Sequence, residues 1–414
     1  MYKILCLLCI VVLSGCAGQQ RATNNLANSL NTQGPEYVLD KLQANEPDDR
    51  DIAQYHLNLG YLQLINGDFK SAITTLSLAK REMAVLEAMS VSETAAAGTV
   101  SEIYRSYSGY PTDRVLIHNM LALSYLFNQD IDGARVEMLQ ADVSMKKLAQ
   151  RKSVRGQLAS VHLLAGVIYE LLDERSSSLI SYKHASELLK ERGIAQPLGL
   201  KKALLRMSYK LGADEQYAAY KKQFPGLAKP EVNGASQLFT LYFDGVVSNK
   251  QEKAVMVPSH DAEQLIRIAM PAYPPLKKRP QRATITQGNQ RLTTQLIENL
   301  ETLVRDDLDD EYPSILLLTT TRALAKYELV DKANEKDSLI GLLVNIATLV
   351  TEVADLRSWN MLPSNIQFAY LETTENEVLI NSADNVQKIE LPNRSQNLVL
   401  INSLSEQIFH YQQN

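Results

Sequence analysis

The stretch His118-Asn119-Met120-Leu121-Ala122-Leu123-Ser124-Tyr125, followed by Ala134 and Met138, decides the fold. Two other stretches align with it without gaps: His56-x2-Leu59-Gly60 with Ala72 and Leu76, and His162-x2-Ala165-Gly166-x2-Tyr169 with Ser178 and Tyr182. In each, the small residue of a first helix precedes the small residue of a second helix by twelve positions. Two antiparallel helices approach closely only where one offers Gly, Ala or Ser at the crossing and the other sets a bulky residue beside it. Between Pro35 and Pro225 apolar residues recur at helical spacing, with short Gly, Asp and Asn breaks between periodic stretches.

This spacing resembles the tetratricopeptide repeat, and the run from Gly67-Asp68-Phe69 through Ala72 to Ala79 is similar to its turn and second helix. No Trp fills the first signature position, and the repeats lie 62 (60 to 122) and 44 (122 to 166) residues apart, against about 34 in the consensus. Helices lengthened over 80–91, an Ala/Ser/Thr-rich insert near 92–109 and a degenerate fourth pair ending at Phe224-Pro225 accommodate the difference. A tetratricopeptide-like domain is thus expected over 35–230. The first helices turn Leu57, Tyr61, Leu64 and Ile65, then Leu123, Leu126 and Phe127, then Leu163, Val167 and Leu171 toward a groove. That groove is too apolar to stay bare in water. Either the chain covers it, with the insert or the C-terminal half, or a partner segment lies in it. Tyr61, Leu64, Leu123, Phe127 and Val167 are the expected partner-binding residues. His56, His118 and His162 share one repeat position and point into separate helix pairs, so they read as fillers of the missing Trp site and not as metal ligands.

After Pro230 the pattern turns to alternation and β-branched or aromatic runs, beginning with Leu238-Phe239-Thr240-Leu241-Tyr242-Phe243. A smaller α+β domain is expected over 236–414. Its parts are an extended basic connection at 271–280, helices near 289–309 and 313–331 around the acidic run Asp306 to Glu311, and an apolar buried helix at 338–350. Short strands near 365–372, 377–381, 386–391 and 397–402 complete it. The acidic run lacks the spaced ligands and glycine turn of a calcium loop and reads as a charged helix cap. Arg357-Ser358-Trp359 is expected at the junction of helix and sheet, with Asp355 or Glu352 pairing Arg357. The fold class is therefore α+β, a helical repeat half followed by a sheet-containing half.

The first sixteen residues carry an address. Lys3 precedes an apolar run from Ile4 to Leu13, and Ser14 and Gly15 lead into Cys16. The run is too short for a permanent span, which needs about 20 apolar residues. Leu13-Ser14-Gly15-Cys16 resembles the bacterial lipobox, which implies a signal peptide over 1–15 and diacylation of Cys16. Ala17, standing where an inner-membrane retention signal carries Asp, implies the outer membrane. Residues 16–34, rich in Asn, Gln, Ser, Thr and Gly, are expected to be a flexible lipidated tether.

In 414 residues, 42 Lys+Arg oppose 47 Asp+Glu, so no overall basic field draws the chain onto nucleic acid. Cys6, Cys9 and Cys16 are the three cysteines, so the body beyond them lacks disulfides and any Cys-built zinc site. No zinc-protease, nucleophile-elbow, phosphate-loop or dinucleotide motif appears. Ser77-x2-Lys80 and Ser144-x2-Lys147 have a penicillin-binding spacing without its companion motifs. No catalytic residue, metal or cofactor is assigned.

Gly109-Tyr110-Pro111 with Asp113-Arg114-Val115, His118 to Leu123, Tyr125-Leu126 and Gly133 to Glu137, together with Glu352-x2-Asp355-x-Arg357-Ser358-Trp359-x2-Leu362-Pro363-x2-Ile366-Gln367, resemble a family of uncharacterised proteobacterial lipoproteins. The resemblance implies a role in the envelope, with members often encoded beside outer-membrane lipoproteins similar to activators of penicillin-binding proteins. It supplies no catalytic residue. The expected function is a lipid-anchored periplasmic adaptor that binds envelope proteins, a neighbouring outer-membrane lipoprotein among the candidates, through the repeat groove. The alternative is an enzyme acting on envelope polymers through a pocket of convergent ionisable side chains in the α+β half.

Overall fold

The computed structural model describes residues 2–45, 47–93, 106–150, 156–227, 234–258, 265–276, 280–334, 341–342, 344–345, 352–382 and 385–413, with backbone alone for 2–19, 89–93, 150 and 385. Helix α1 (Tyr2–Gln43) bends at Gly34, whose φ is +80°. Helix pairs follow: α2 (Ile52–Ile65) with α3 (Phe69–Glu93), α4 (Pro111–Phe127) with α5 (Ile131–Gln150), α6 (Ala159–Leu171) with α7 (Arg175–Glu191), and α8 (Leu198–Leu211) with α9 (Asp214–Gln223). The small residues do sit at the crossings. A Cβ on Gly60 would lie 2.6 Å from the Leu76 side chain and one on Gly166 2.5 Å from the Tyr182 ring. Ser178 Oγ donates to the Gly166 carbonyl at 2.8 Å, tying α7 to α6. The half is a tetratricopeptide-like helical repeat array.

The second half holds β1 (Ser236–Asp244), β2 (Gln251–Pro258), β3 (Leu265–Ala272), β4 (Thr284–Gln287), β5 (Gln290–Thr293), β6 (Gln295–Asn299), the helix α10 (Leu300–Asn334), β7 (Asn365–Thr373), β8 (Glu377–Ser382), β9 (Asn385–Glu390), β10 (Gln396–Asn402) and β11 (Ile408–Gln413). One sheet runs β11-β10-β1-β7-β6, a second runs β5-β4-β8-β9, and β2 pairs with β3 alone. Strand β1 lies parallel to β10 and antiparallel to β7. Its nine residues are all buried because both faces are covered. Phe239, Leu241 and Phe243 join the core of the helical array, while Leu238 and Tyr242 join Ile285, Val378 and Ile380 of the second sheet. The layers are helices, five-stranded sheet and four-stranded sheet.

Three expectations change. The tether over 16–34 is not one: α1 is helical there, and Gln20, Ala27 and Leu30 are buried. Its polar residues served as partners for the body and not as solvated spacer, since Gln20 Oε1 accepts from Leu356 N and Asn24 Oδ1 from Asn360 Nδ2. The boundary at 230–236 does not separate two cores, because one cluster runs from Ala27 to Tyr411. Residues 290–299 are strands, and a single α10 passes through Pro313 where two helices were expected. The expected strands at 365–372, 377–381, 386–391 and 397–402 are β7 to β10. Most of the insert near 92–109, Lys277, Lys278 and Arg279, and most of the apolar run 338–350 fall outside the described residues.

Candidate functional site

The expected partner groove is closed by the chain itself. Tyr61, Leu64, Leu123, Phe127 and Val167 are all buried, in one cluster with Phe239, Phe368, Leu400 and Tyr411 of the sheet. Burial against an apolar sheet face removes the cost of leaving that groove wet. Asn402 Nδ2 donates to Tyr61 Oη at 3.2 Å. Phe409 of β11 sits 5.1 Å from the Phe69 ring and 5.9 Å from the Phe127 ring, centroid to centroid. Farther along, Arg206 of α8 is buried and donates to both Glu170 oxygens at 2.6 and 2.7 Å. Its guanidinium lies 4.1 Å from the centre of the Tyr370 ring of β7, so a cation–π contact crosses the seam. Partner binding at those five positions is thus corrected to packing against the five-stranded sheet.

The repeated histidines each bond within their own helix pair. His56 Nδ1 lies 3.0 Å from Glu82, His118 Nδ1 2.7 Å from Glu137, and the His162 ring 5.0 Å from that of His184. Burial pushes Glu137 up, but the His118 and Lys80 bonds outweigh it and hold the carboxylate below its ordinary range. Burial, reinforced by His184, pushes His162 down to about 4. Ser144 Oγ stands 3.4 Å from His118 Nε2, which completes a serine, histidine, carboxylate order that sequence spacing did not reveal. Ser144 sits inside α5, where the backbone amides are spent on helix bonds, so no donor pair faces it as an oxyanion hole. The arrangement braces two helices.

A more complex cluster lies where the two halves meet, and it unites the two motifs read from opposite ends of the chain. Gly109, at φ +71°, turns the chain into α4; a Cβ there would lie 2.3 Å from Met83 Sδ. Tyr110 N and Tyr107 Oη then donate to Asp113 Oδ2 at 2.9 and 2.7 Å. From the other motif, Arg357 Nη2 donates to Asp355 at 2.6 Å and its Nη1 to Asp51 at 3.1 Å. Burial raises Asp355, but the Arg357 guanidinium overrides it and leaves the group below the usual carboxylate range. Lys250, buried between them, donates to the Arg357 carbonyl at 2.9 Å and to Tyr110 Oη, with its ammonium 4.3 Å from the Tyr110 ring centre. Burial pushes this amine down, while Asp355, Glu311 and Asp113 oppose the shift. Glu352 does not pair with Arg357; it takes Arg322 and Lys326 of α10.

Beside this cluster is a 170 Å³ cavity lined by Tyr107, Tyr110, Pro271, Glu311, Asp355 and Arg357. The acidic run expected as a cap supplies Glu311 from within α10. Ionisable groups do converge here, as the enzymatic alternative requires, yet Asp355 and Asp113 are engaged by Arg357 and by the turn into α4. That chemistry clasps two halves together. Nothing in the sequence placed Lys250 here, because no motif marks a single lysine between β1 and β2. A second cavity of 610 Å³ lies between α1 and α2, with Leu26, Tyr37, Lys41, Asn45 and Tyr55 in its wall.

No family model and no curated protein matches the chain. Among solved structures the chain is similar to the apo form of RapI, at 12% identity and TM-score 0.33 over 48% of each chain. The chain thus spans about half of RapI's length. It is also similar to MamA MSR-1 C2, at 13% identity and TM-score 0.31 over 50% of this chain and 94% of that one. BtubC from P. vanneervenii has 16% identity and TM-score 0.31 over 54% and 84%.

Proposed function

We propose that this chain is a lipid-anchored scaffold on the periplasmic face of the bacterial outer membrane, holding envelope proteins against the outward side of its helical array. The observation that carries the reading is continuity. Cys16 lies in the same helix as Gln20, Ala27 and Leu30, which are locked into the body. Acyl chains on Cys16 would therefore hold the protein at a fixed height above the membrane, and two or three chains suffice for stable anchoring. With the concave face closed, the surface left for a protein partner is that of the second helices. Helix α5 exposes Val136, Leu139 and Val143 on one side, with Val85 of α3 and Ile180 of α7 on the same outer layer. Rows of exposed apolar side chains rimmed by polar ones mark interaction sites.

The test is photo-crosslinking in intact cells from position 139, with the exposed Ala22 of α1 as the control position. One envelope protein captured at 139, and lost when Val136→Asp and Val143→Asp are added, supports the reading. Equal capture at both positions, or none at 139, would sink it.

A further inference from the structure

Helix α10 leaves leucines in solvent even though its inward side already buries Ile315, Ala323 and Val330. Beside those apolar residues, Arg322 and the partly buried Lys326 meet Glu352 at 3.2 and 2.7 Å. Its outward side exposes leucines: Leu317 is 68% exposed, Leu324 61% and Leu329 59%, with Leu316 on one flank and an exposed Glu328 closing the stripe one turn past Leu324. A surface helix in water normally keeps such leucines out of its exposed side. Between the leucines stand Thr320 and Thr321, whose hydroxyls donate to the carbonyls of Leu316 and Leu317 at 2.7 and 2.8 Å. Their polar atoms are thus satisfied by the helix's own backbone, as suits a side chain facing hydrocarbon. Beside α10 the hairpin of β2 and β3 exposes Val255, Met256, Val257 and Leu265. Among the described residues nothing packs over this face, and no helix is long and apolar enough to cross a membrane.

Its position in the fold identifies the occupant. The segment from Glu352 to Leu356 links three things. Glu352 binds α10, Ala354 N donates to Glu252 of β2 at 3.0 Å, and Leu356 N donates to Gln20 of α1 at 3.2 Å. Cys16 is four residues before Gln20 on the same helix, about 6 Å along its axis. The apolar face and the acylation site therefore belong to one end of the molecule.

We infer that the outward face of α10, with the tip of the β2–β3 hairpin, rests in the interfacial layer of the same phospholipid bilayer that holds the acyl chains. This rests on the proposed acylation of Cys16. The face lies in the membrane plane without spanning it, as monotopic helices do. Once the lipid is inserted, the second contact is intramolecular and needs little intrinsic affinity. The bilayer then sees apolar side chains with no charge to desolvate from Leu316 to Ala325 on the outward positions.

The test uses the full acylated chain in vesicles of phosphatidylethanolamine and phosphatidylglycerol. Spin labels are placed by Leu317→Cys, Leu324→Cys and, on the far array, Ile180→Cys. In the acylated chain each introduced thiol is the free one. Collisions with oxygen relative to a water-soluble nickel chelate should rise several-fold at 317 and 324 over 180. The mass of the N-terminal peptide is read first. An unmodified Cys16 overturns the anchor reading and this inference with it. An acylated chain whose labels at 317 and 324 match 180 leaves the anchor standing and overturns the face alone. Labels shielded from both reagents mean that protein covers α10, which overturns the bilayer as its occupant.

Discussion

The concave face of the helical array and the outward face of α10 are both rows of leucines at helical spacing, yet one is sealed and the other bare. The array's face meets a sheet whose inward residues Phe239, Phe368 and Leu400 are equally apolar, so burial pays on both sides of the seam. Helix α10 has already turned a side inward, with Ile315, Ala323 and Val330 packed beside Arg322. A row of apolar positions therefore shows that something covers it, while only the opposite side of the same helix shows whether the chain itself does.

The contrast can be broken most forcefully by placing the same charge on each face. Leu123→Asp puts an unpaired carboxylate into the sealed seam and should remove more than about 4 kcal/mol, enough to unfold an ordinary domain. Urea denaturation followed by circular dichroism checks it; a folded variant would mean that the seam opens. A second test asks how dry the array's interior is. His162 is held at about 4 against an ordinary 6.5, so the folded state keeps it neutral. Between those values the unfolded chain binds the extra proton, and stability falls as pH drops from 6.5 to 4, by about 3 kcal/mol in all. Below that window both states are protonated and the contribution stops changing. His162→Asn should flatten that part of the pH profile; an unchanged slope would place the proton uptake elsewhere. The smallest effect belongs to the bare face. Leu317→Asp should alter stability in water by no more than about 0.5 kcal/mol, and a loss comparable to that of Leu123→Asp would show that α10 is covered after all.

Much of this was legible. Small residues at Gly60 and Gly166, with Ala72 and Ser178 twelve positions on and Leu76 and Tyr182 beside the crossings, located the helix pairs because close approach leaves so few alternatives. Strands β7 to β10 were legible from alternation bounded by turns. The region 290–299 was misread because short edge strands leading straight into a helix have no periodicity of their own. Residues 16–34 were misread because amide side chains look alike whether solvated or, as at Asn24, bound to Asn360 across the fold. The clasp at Lys250 and Arg357 was half visible: both flanking motifs stood out, but only tertiary structure could bring positions so distant in sequence together, and the partner of Arg357 proved to be shared between Asp355 and Asp51.

Phe409, wedged between Phe69 and Phe127, also sets an order of events. The first repeats obtain their inner lining from β11, some 340 residues later in the chain (409 − 69 = 340). Until that strand arrives, the array presents its leucines to whatever is nearby, so an emerging chain keeps an apolar face uncovered for as long as β11 is missing. Removal of β11 should therefore register as exposed surface on the first repeats.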